Sequence, residues 1–170
     1  MNSVRKNFLA ILLVGTALHV FSSSAWAADV ERIKHASPFT AESVHVPSGY
    51  SYYFLSGVPS TFRDIHAPTG SRESFGDVTA QTRSELDNMK ANLAKYGLTF
   101  RDVVEAHVFM IPDPTNNGHA NFDAMNKVWA TEFGTKAQPN LPARSAISVS
   151  ELRGQGMLLE IEMTAVKKAP

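Results

Sequence analysis

Residues 157 to 166, MLLEIEMTAV, set Met157, Leu159, Ile161, Met163 and Ala165 at every second position, with Leu158, Glu160, Glu162 and Thr164 between them. Side chains of an extended strand alternate across the pleat, so this segment has one wholly apolar face that must be covered and a second face that is mostly polar. A covering layer is therefore required, and two stretches have the pattern to supply it. Between Asp77 and Tyr96, Val78, Thr82, Leu86, Met89 and Leu93 recur at spacings of three and four, Arg83, Asp87 and Lys90 lie opposite, and Gly97 stands where a helix would end. Farther on, Asn121 is placed to cap a second helix whose apolar stripe is Phe122, Met125, Trp129 and Phe133, closed by Gly134.

The remaining segments read as strands and connections. Val44-His45-Val46, Pro47-Ser48-Gly49 and Tyr50 to Ser56 read as strand, turn and strand, and Val103 to Ile111 alternates until Pro112 and Pro114 stop it. Thr99-Phe100-Arg101-Asp102 reads as a short capped turn before that strand. Residues 28–43 read as an irregular lead-in and 59–76 as a long surface loop. Residues 141–150 and 157–166 read as a hairpin. The order strand, strand, helix, strand, helix, strand, strand predicts an α+β fold: an antiparallel or mixed sheet with two helices on one face. Its second face is either solvated or a subunit contact.

The first residues carry a different message. Arg5 and Lys6 precede an apolar run from Phe8 to Phe21, and Ala25-x-Ala27 has the small residues that a signal peptidase accepts. The run is shorter than the roughly 20 residues that span a bilayer, so the reading is an export signal cleaved after Ala27, with no membrane attachment afterwards. The expectation is one domain, residues 28–170, in the periplasm or secreted. That part has fourteen basic and sixteen acidic residues, a net charge of −2 with histidines neutral, which gives little general attraction to a phosphate backbone; no nucleic-acid partner is expected. There is no cysteine, so neither disulfides nor thiol chemistry enter. None of the six histidines has a paired-ligand spacing, and no metal is expected.

Arg144 is the unusual residue of the last strands. Its own side of the strand carries only the small Ala146, Ser148 and Ser150, which leaves the guanidinium fork open to a planar carboxylate. If the hairpin register puts even-numbered residues of both strands on one face, Arg144 and Glu160 line one cleft. The alternative is an ordinary cross-strand ion pair between Arg144 and Glu160 or Glu162.

Taken in order, Gly76-Asp77-Val78-Thr79-Ala80-Gln81-Thr82, Leu86-Asp87-Asn88-Met89, Gly97-Leu98, Asp102-Val103-Val104, Phe122-Asp123-Ala124-Met125-Asn126, Pro142-Ala143-Arg144-Ser145 and Leu159-Glu160-Ile161-Glu162 resemble the reactive-intermediate deaminase family, RidA or YjgF. The resemblance covers roughly residues 44 to 166. It implies a chorismate-mutase-like protomer in a homotrimer, with the sheets forming a central barrel, the helices outside and three ligand sites in clefts between subunits. It implies hydrolysis of small carboxylate-bearing enamines or imines to 2-keto acids and ammonia, of the 2-iminobutanoate/2-iminopropanoate deaminase type, with no metal or organic cofactor. By the same resemblance Arg144 holds the substrate carboxylate and Glu160 handles water or the proton, with Glu162 second in rank. Ser56, Gly57, Asn126 and the backbone at Ala146 line the cleft.

Two departures stand out. The family usually reads Gly-Pro-Tyr-Ser/Val-Gln where this chain has Pro38-Phe39-Thr40-Ala41-Glu42, so its site tyrosine is missing. The loop before Gly76, with Phe62, Arg63, Asp64 and His66, has no family counterpart and is either a lid or a plain surface insertion. The second function class is therefore a non-catalytic, small-carboxylate-binding or chaperone-like family member. An endoribonuclease ranks third, because no paired-histidine acid and base are present.

Overall fold

The computed structural model describes residues 29–61 and 64–170, so the leader read as an export signal, and Phe62 and Arg63, lie outside the described residues. Strands β1 (Glu31–Lys34), β2 (Ala41–His45), β3 (Tyr50–Leu55), β4 (Val103–Met110), β5 (Ala143–Ser148) and β6 (Leu159–Lys168) form one mixed sheet in the spatial order β1-β2-β5-β4-β6-β3. The helices are α1 (Arg72–Phe75), α2 (Val78–Ala94) and α3 (Phe122–Trp129). Among the described residues no helix is long and apolar enough to cross a membrane.

Local chemistry sets the helix ends. The Asp77 carboxylate accepts the Ala80 N–H at 2.9 Å to start α2, and Gly97, at φ 66°, takes the left-handed backbone that lets the chain turn back after it. Asn121 does the same for α3, its Oδ1 accepting the Ala124 N–H at 3.1 Å. The expected turn at Thr99 carries a full capping box with Asp102. Helix α3 is shorter than its stripe suggested: it ends at Trp129, and Phe133 reaches the core from the following turn to stack on Trp129 with centroids 4.1 Å apart.

Both long helices bury their stripes against one sheet face. Ala106, Val108, Met110, Leu159, Ile161 and Met163 from β4 and β6 join Leu86, Met89, Leu93 and Trp129 in a single core. Fully burying a leucine, isoleucine or methionine contributes about 1.5–3 kcal/mol, so this layer is what anchors the sheet to the helices. The stripe of α2 also contains two polar residues, Gln81 and Glu85, both fully buried. Gln81 Nε2 donates to the carbonyls of Gly76 and Gly156, and its Oε1 accepts the Leu158 N–H at 2.7 Å. One side chain thus ties the start of α2 to the loop before β6.

Three expectations need correction. Residues 28–43 are not irregular, because β1 lies there and pairs antiparallel with β2, from Glu31 opposite His45 to Ile33 opposite Ser43. A four-residue strand with one apolar side chain is too short to announce itself by alternation. The 59–76 connection contains α1, capped by Ser71, and its Arg72 pairs with the buried Asp113 at 3.1 Å. A Cβ on Gly156 would lie 2.5 Å from the Ser71 carbonyl oxygen, so this part of the connection is wedged against the 150s loop as a fixed wall. Asp64 and His66 remain exposed at its outer turn.

The third correction decides the site. Strands β5 and β6 do not form a hairpin, because β4 lies between them, parallel to β5 and antiparallel to β6. A parallel neighbour requires a crossover, and α3 with its flanking loops provides it. Residues 149–158 are long enough to pass the end of β4, where Val149 donates to the Met110 carbonyl and Ile111 to that of Leu158. The register sets Ala106 beside both Arg144 and Met163, and Phe109 beside Glu160. Even-numbered residues of β5 therefore share a face with odd-numbered residues of β6, the reverse of the assumed register. On the face away from the helices, Phe54 is 81% exposed, Tyr52 50% and Ile147 49%.

Candidate functional site

Arg144 enters from β5 on the helix-covered face, next to the margin of the core. Its own N–H donates to Thr40 Oγ1 at 2.9 Å, which ties its backbone to the residue just before β2. Nη2 donates to Asn126 Oδ1 of α3 at 2.7 Å, and Nη1 lies 3.6 Å from the Met125 sulfur. The guanidinium sits over Trp129 at 4.7 Å and over Phe39 at 5.9 Å, and Trp129 Nε1 donates to the Phe39 carbonyl at 3.1 Å, so the two walls hold each other. Burial lowers the Arg144 pKa to about 10, which leaves it charged at neutral pH but poorly solvated.

Among the described residues no carboxylate pairs with Arg144. The cross-strand ion pair is thus excluded, for the plain reason that Glu160 and Glu162 point from the other face. A guanidinium has five donors, and one here meets an oxygen. Ala146, the next residue of β5 on that face, is opposite Val108 and packs on the core, so it can offer only backbone to a ligand beside Arg144.

Glu160 belongs to a second cluster. Strand β3 follows β6 as far as Leu55 opposite Met163 and then leaves it, which opens the β6 edge at Glu160 and Ile161. Gly57 crosses that opening directly over Glu160: a Cβ there would lie 2.5 Å from Glu160 Cγ and 2.7 Å from Cδ, so no larger residue fits without moving the carboxylate. Ser56 is exposed at the same departure point. Behind them Ser60 returns to place its hydroxyl 3.2 Å from Glu85 Oε1, inside the protein. Burial raises the Glu85 pKa well above the ordinary carboxylate value, the charge of Glu160 raises it further, and the Ser60 hydroxyl and the Ile161 backbone N–H offset part of this.

The six residues expected to line one cleft thus form two clusters in a single chain. Arg144, Asn126 and Ala146 make one; Ser56, Gly57 and Glu160 make the other. Arg144 and Glu160 stand two strands apart, ~10 Å across the sheet, and three residues apart along it, another ~10 Å, and they point from opposite faces. Their separation exceeds what a three-carbon acid can bridge. The sequence reading missed Trp129 as an arginine platform, and it missed Glu85 altogether. The signal for Glu85 was available: it falls on the same helical stripe as Val78, Thr82 and Met89, where a carboxylate is out of place. Among the described residues no three His, Asp or Glu side chains converge as a metal would need.

With this geometry in hand, the chain can be set beside known proteins. A family model described as Endoribonuclease L-PSP matches residues 54–167, a span that holds both clusters except Phe39 and Thr40. A RutC family protein of Haemophilus influenzae is 38% identical over 114 residues, which cover 67% of this chain and 82% of that protein. The 2-iminobutanoate/2-iminopropanoate deaminase of Escherichia coli is 35% identical over 104 residues, covering 61% of this chain and 73% of the relative. Among solved structures, the Rid family protein YyfB of Yersinia pestis superposes with a TM-score of 0.57 at 25% identity, covering 76% of this chain and 88% of its own. TdcF of Escherichia coli, solved with bound serine, gives a TM-score of 0.53 at 27% identity, covering 81% and 98%.

Proposed function

The chain belongs to the Endoribonuclease L-PSP family, the RidA/YjgF family of its sequence motifs, and from that premise we propose that it hydrolyses small carboxylate-bearing imines and enamines to 2-keto acids and ammonia. One observation carries the reading: Arg144 is a charged, partly buried guanidinium fixed by Asn126, Trp129 and Phe39, and no carboxylate of the described chain neutralises it. Such a group is an anion site awaiting its anion, and a bidentate carboxylate satisfies it best.

Bound there, the substrate presents its imine carbon one bond beyond the carboxylate. Water adds to that carbon as Glu160 takes one of its protons and passes it to the nitrogen, giving a carbinolamine; the remaining hydroxyl proton then moves, again through Glu160, to the nitrogen, and the C–N bond breaks to release ammonia as the C=O bond forms. No proton is gained or lost over the cycle. Because Arg144 and Glu160 face opposite ways in one protomer, the site needs Arg144 of one copy and Glu160 of another. The exposed Tyr52, Phe54 and Ile147 supply an apolar surface for that contact, and a homotrimer with three shared clefts satisfies both requirements.

One observation favours the second reading, a carboxylate-binding module without catalysis. The position of the family tyrosine is held here by Phe39, which has no hydroxyl, and by Thr40, whose hydroxyl is already used by Arg144, Ala41 and Pro142. The test is direct. Purified protein should accelerate ammonia release from imines generated in the cuvette by an amino-acid oxidase; Arg144-dependent binding of 2-keto acids without any acceleration supports the module instead.

Gly57→Ala checks the Glu160 cluster separately. The added methyl has to displace the Glu160 carboxylate, so kcat should drop by roughly 10²-fold, the lower end of what losing a positioned proton-transfer group costs. The fold should survive, since the clash falls on a movable side chain. Steady-state kinetics with a thermal melt would show the two effects apart; unchanged kcat would remove Glu160 from the reaction.

A further inference from the structure

Helix α2 buries a carboxyl for which neither packing nor the proposed chemistry has yet accounted. Glu85 is 0% exposed, and its Oε2 has no hydrogen-bond partner. Its Oε1 lies 3.2 Å from Ser60 Oγ, which in turn lies 3.2 Å from the Gln81 carbonyl. Ser60 has one proton and two acceptors to serve. That proton is shared between Glu85 Oε1 and the Gln81 carbonyl, so Ser60 gives the carboxyl at most one partial hydrogen bond. With Oε2 unpartnered and the residue fully buried, the neutral, proton-bearing form is the one that the site accommodates at least cost.

The same few residues touch the other carboxyl. Gly57 lies over Glu160 and Ser60 beneath it against Glu85, so the short segment 57–60 is held between the two acids where β3 leaves the sheet. Glu160 is the titratable group whose charge acts on Glu85; Arg83 and Lys90 of α2 turn outward to Glu132, and Asp123 and Lys127 of α3 are exposed. We propose that Glu85 is a proton-bearing second carboxyl of the Glu160 cluster, a positioning residue that through Ser60 holds segment 57–60 in place over Glu160.

The pairing stands on this geometry; its catalytic consequence rests on the deaminase reading. A buried carboxyl with one oxygen unpartnered favours its neutral form, so Glu85 should lose its proton only well above the ordinary carboxylate range. That ionisation puts an unsolvated charge beneath segment 57–60 and should end activity on the alkaline side. Stability follows the same sign. A folded-state pKa raised above the ordinary value means that the contribution of Glu85 is fully present below about 4.5 and is lost as pH rises through the raised value.

Carboxyl-carbon NMR of the full protein through a pH titration is the decisive measurement. In the wild type the Glu85 resonance should titrate well above the ordinary carboxylate range, and Glu85→Gln, which keeps shape and neutrality, identifies that resonance by its loss. The melting temperature of Glu85→Gln should rise relative to wild type as pH increases, and its kcat/KM should stay within about twofold at neutral pH while the alkaline fall disappears. A Glu85 resonance that titrates in the ordinary carboxylate range, or an alkaline fall that survives in Glu85→Gln, overturns the proposal. Absence of deaminase activity in the wild type sinks the functional reading alone, because the resonance and melting data remain readable without turnover.

Discussion

Arg144→Ala is expected to lower kcat/KM for a carboxylate-bearing imine by roughly 30-fold to 1000-fold, the effect of removing about 2–4 kcal/mol at 1.4 kcal/mol per decade. The magnitude belongs to a bidentate, charge-assisted contact in a partly desolvated place, and the structure has those conditions: aromatic walls at 4.7 and 5.9 Å and, among the described residues, a neutral amide as the sole oxygen partner. Stability should change little by comparison. The variant loses its stacking on Trp129, worth about 0.5–2 kcal/mol, and also loses the cost of keeping a poorly solvated charge. Arg144→Lys should fall between the two, since an ammonium keeps the charge and loses the fork. Binding of a 2-keto acid by the wild type should be independent of pH up to the alkaline range and weaken as pH rises through about 10, because the anion binds the protonated guanidinium. Equal kcat/KM for wild type and Arg144→Ala would return Arg144 to a purely structural role.

The second large effect concerns two damaged proteins that should repair each other. Glu160→Gln cannot move the proton and should lose about 10²–10⁴ in kcat while still binding a 2-keto acid. Arg144→Ala should be similarly inactive by loss of orientation. Assembled together in equal amounts, however, the two should regain up to about one quarter of wild-type activity per site. In the proposed cyclic oligomer each site takes Arg144 from one copy and Glu160 from the next, so half of the copies qualify on each count. A site contained in one protomer regains nothing, since no single chain in the mixture carries both groups. The mixed activity, measured after co-expression and purification through two different tags, separates these cases without ambiguity.

Much of the fold can be read locally. The alternation of Met157 to Ala165, the caps at Asp77, Asn121 and Thr99, and the turn at Gly97 depend on neighbours within a few residues, and each took the form that its pattern required. The short β1 and α1 escaped notice because four residues give no period to count. Within the expected helix Asp77 to Tyr96, Gln81 and Glu85 went unread for another reason. A polar residue on a buried stripe declares only that it needs partners, and those partners, Gly156 with Leu158 and Ser60, come from distant loops.

The sequence by itself determined the mixed set of strands and helices, which faces of α2 and β6 are covered, the family, and the residue types Arg144, Asn126, Gly57 and Glu160 at their places in the chain. Only the tertiary structure decided which strand lies beside which. Residues 149–158 allow either a hairpin or a passage across the end of β4, and the choice is made by where α3 and α2 can bury their stripes, a competition among contacts far apart in sequence. Inserting β4 between β5 and β6 changes the register by one residue, and since side chains alternate with a period of two, that single step turns Glu160 to the face opposite Arg144. The two residues that motif and chemistry join are thus held apart within each chain, because pleat and register, which no local pattern encodes, assign them to different sides of the sheet.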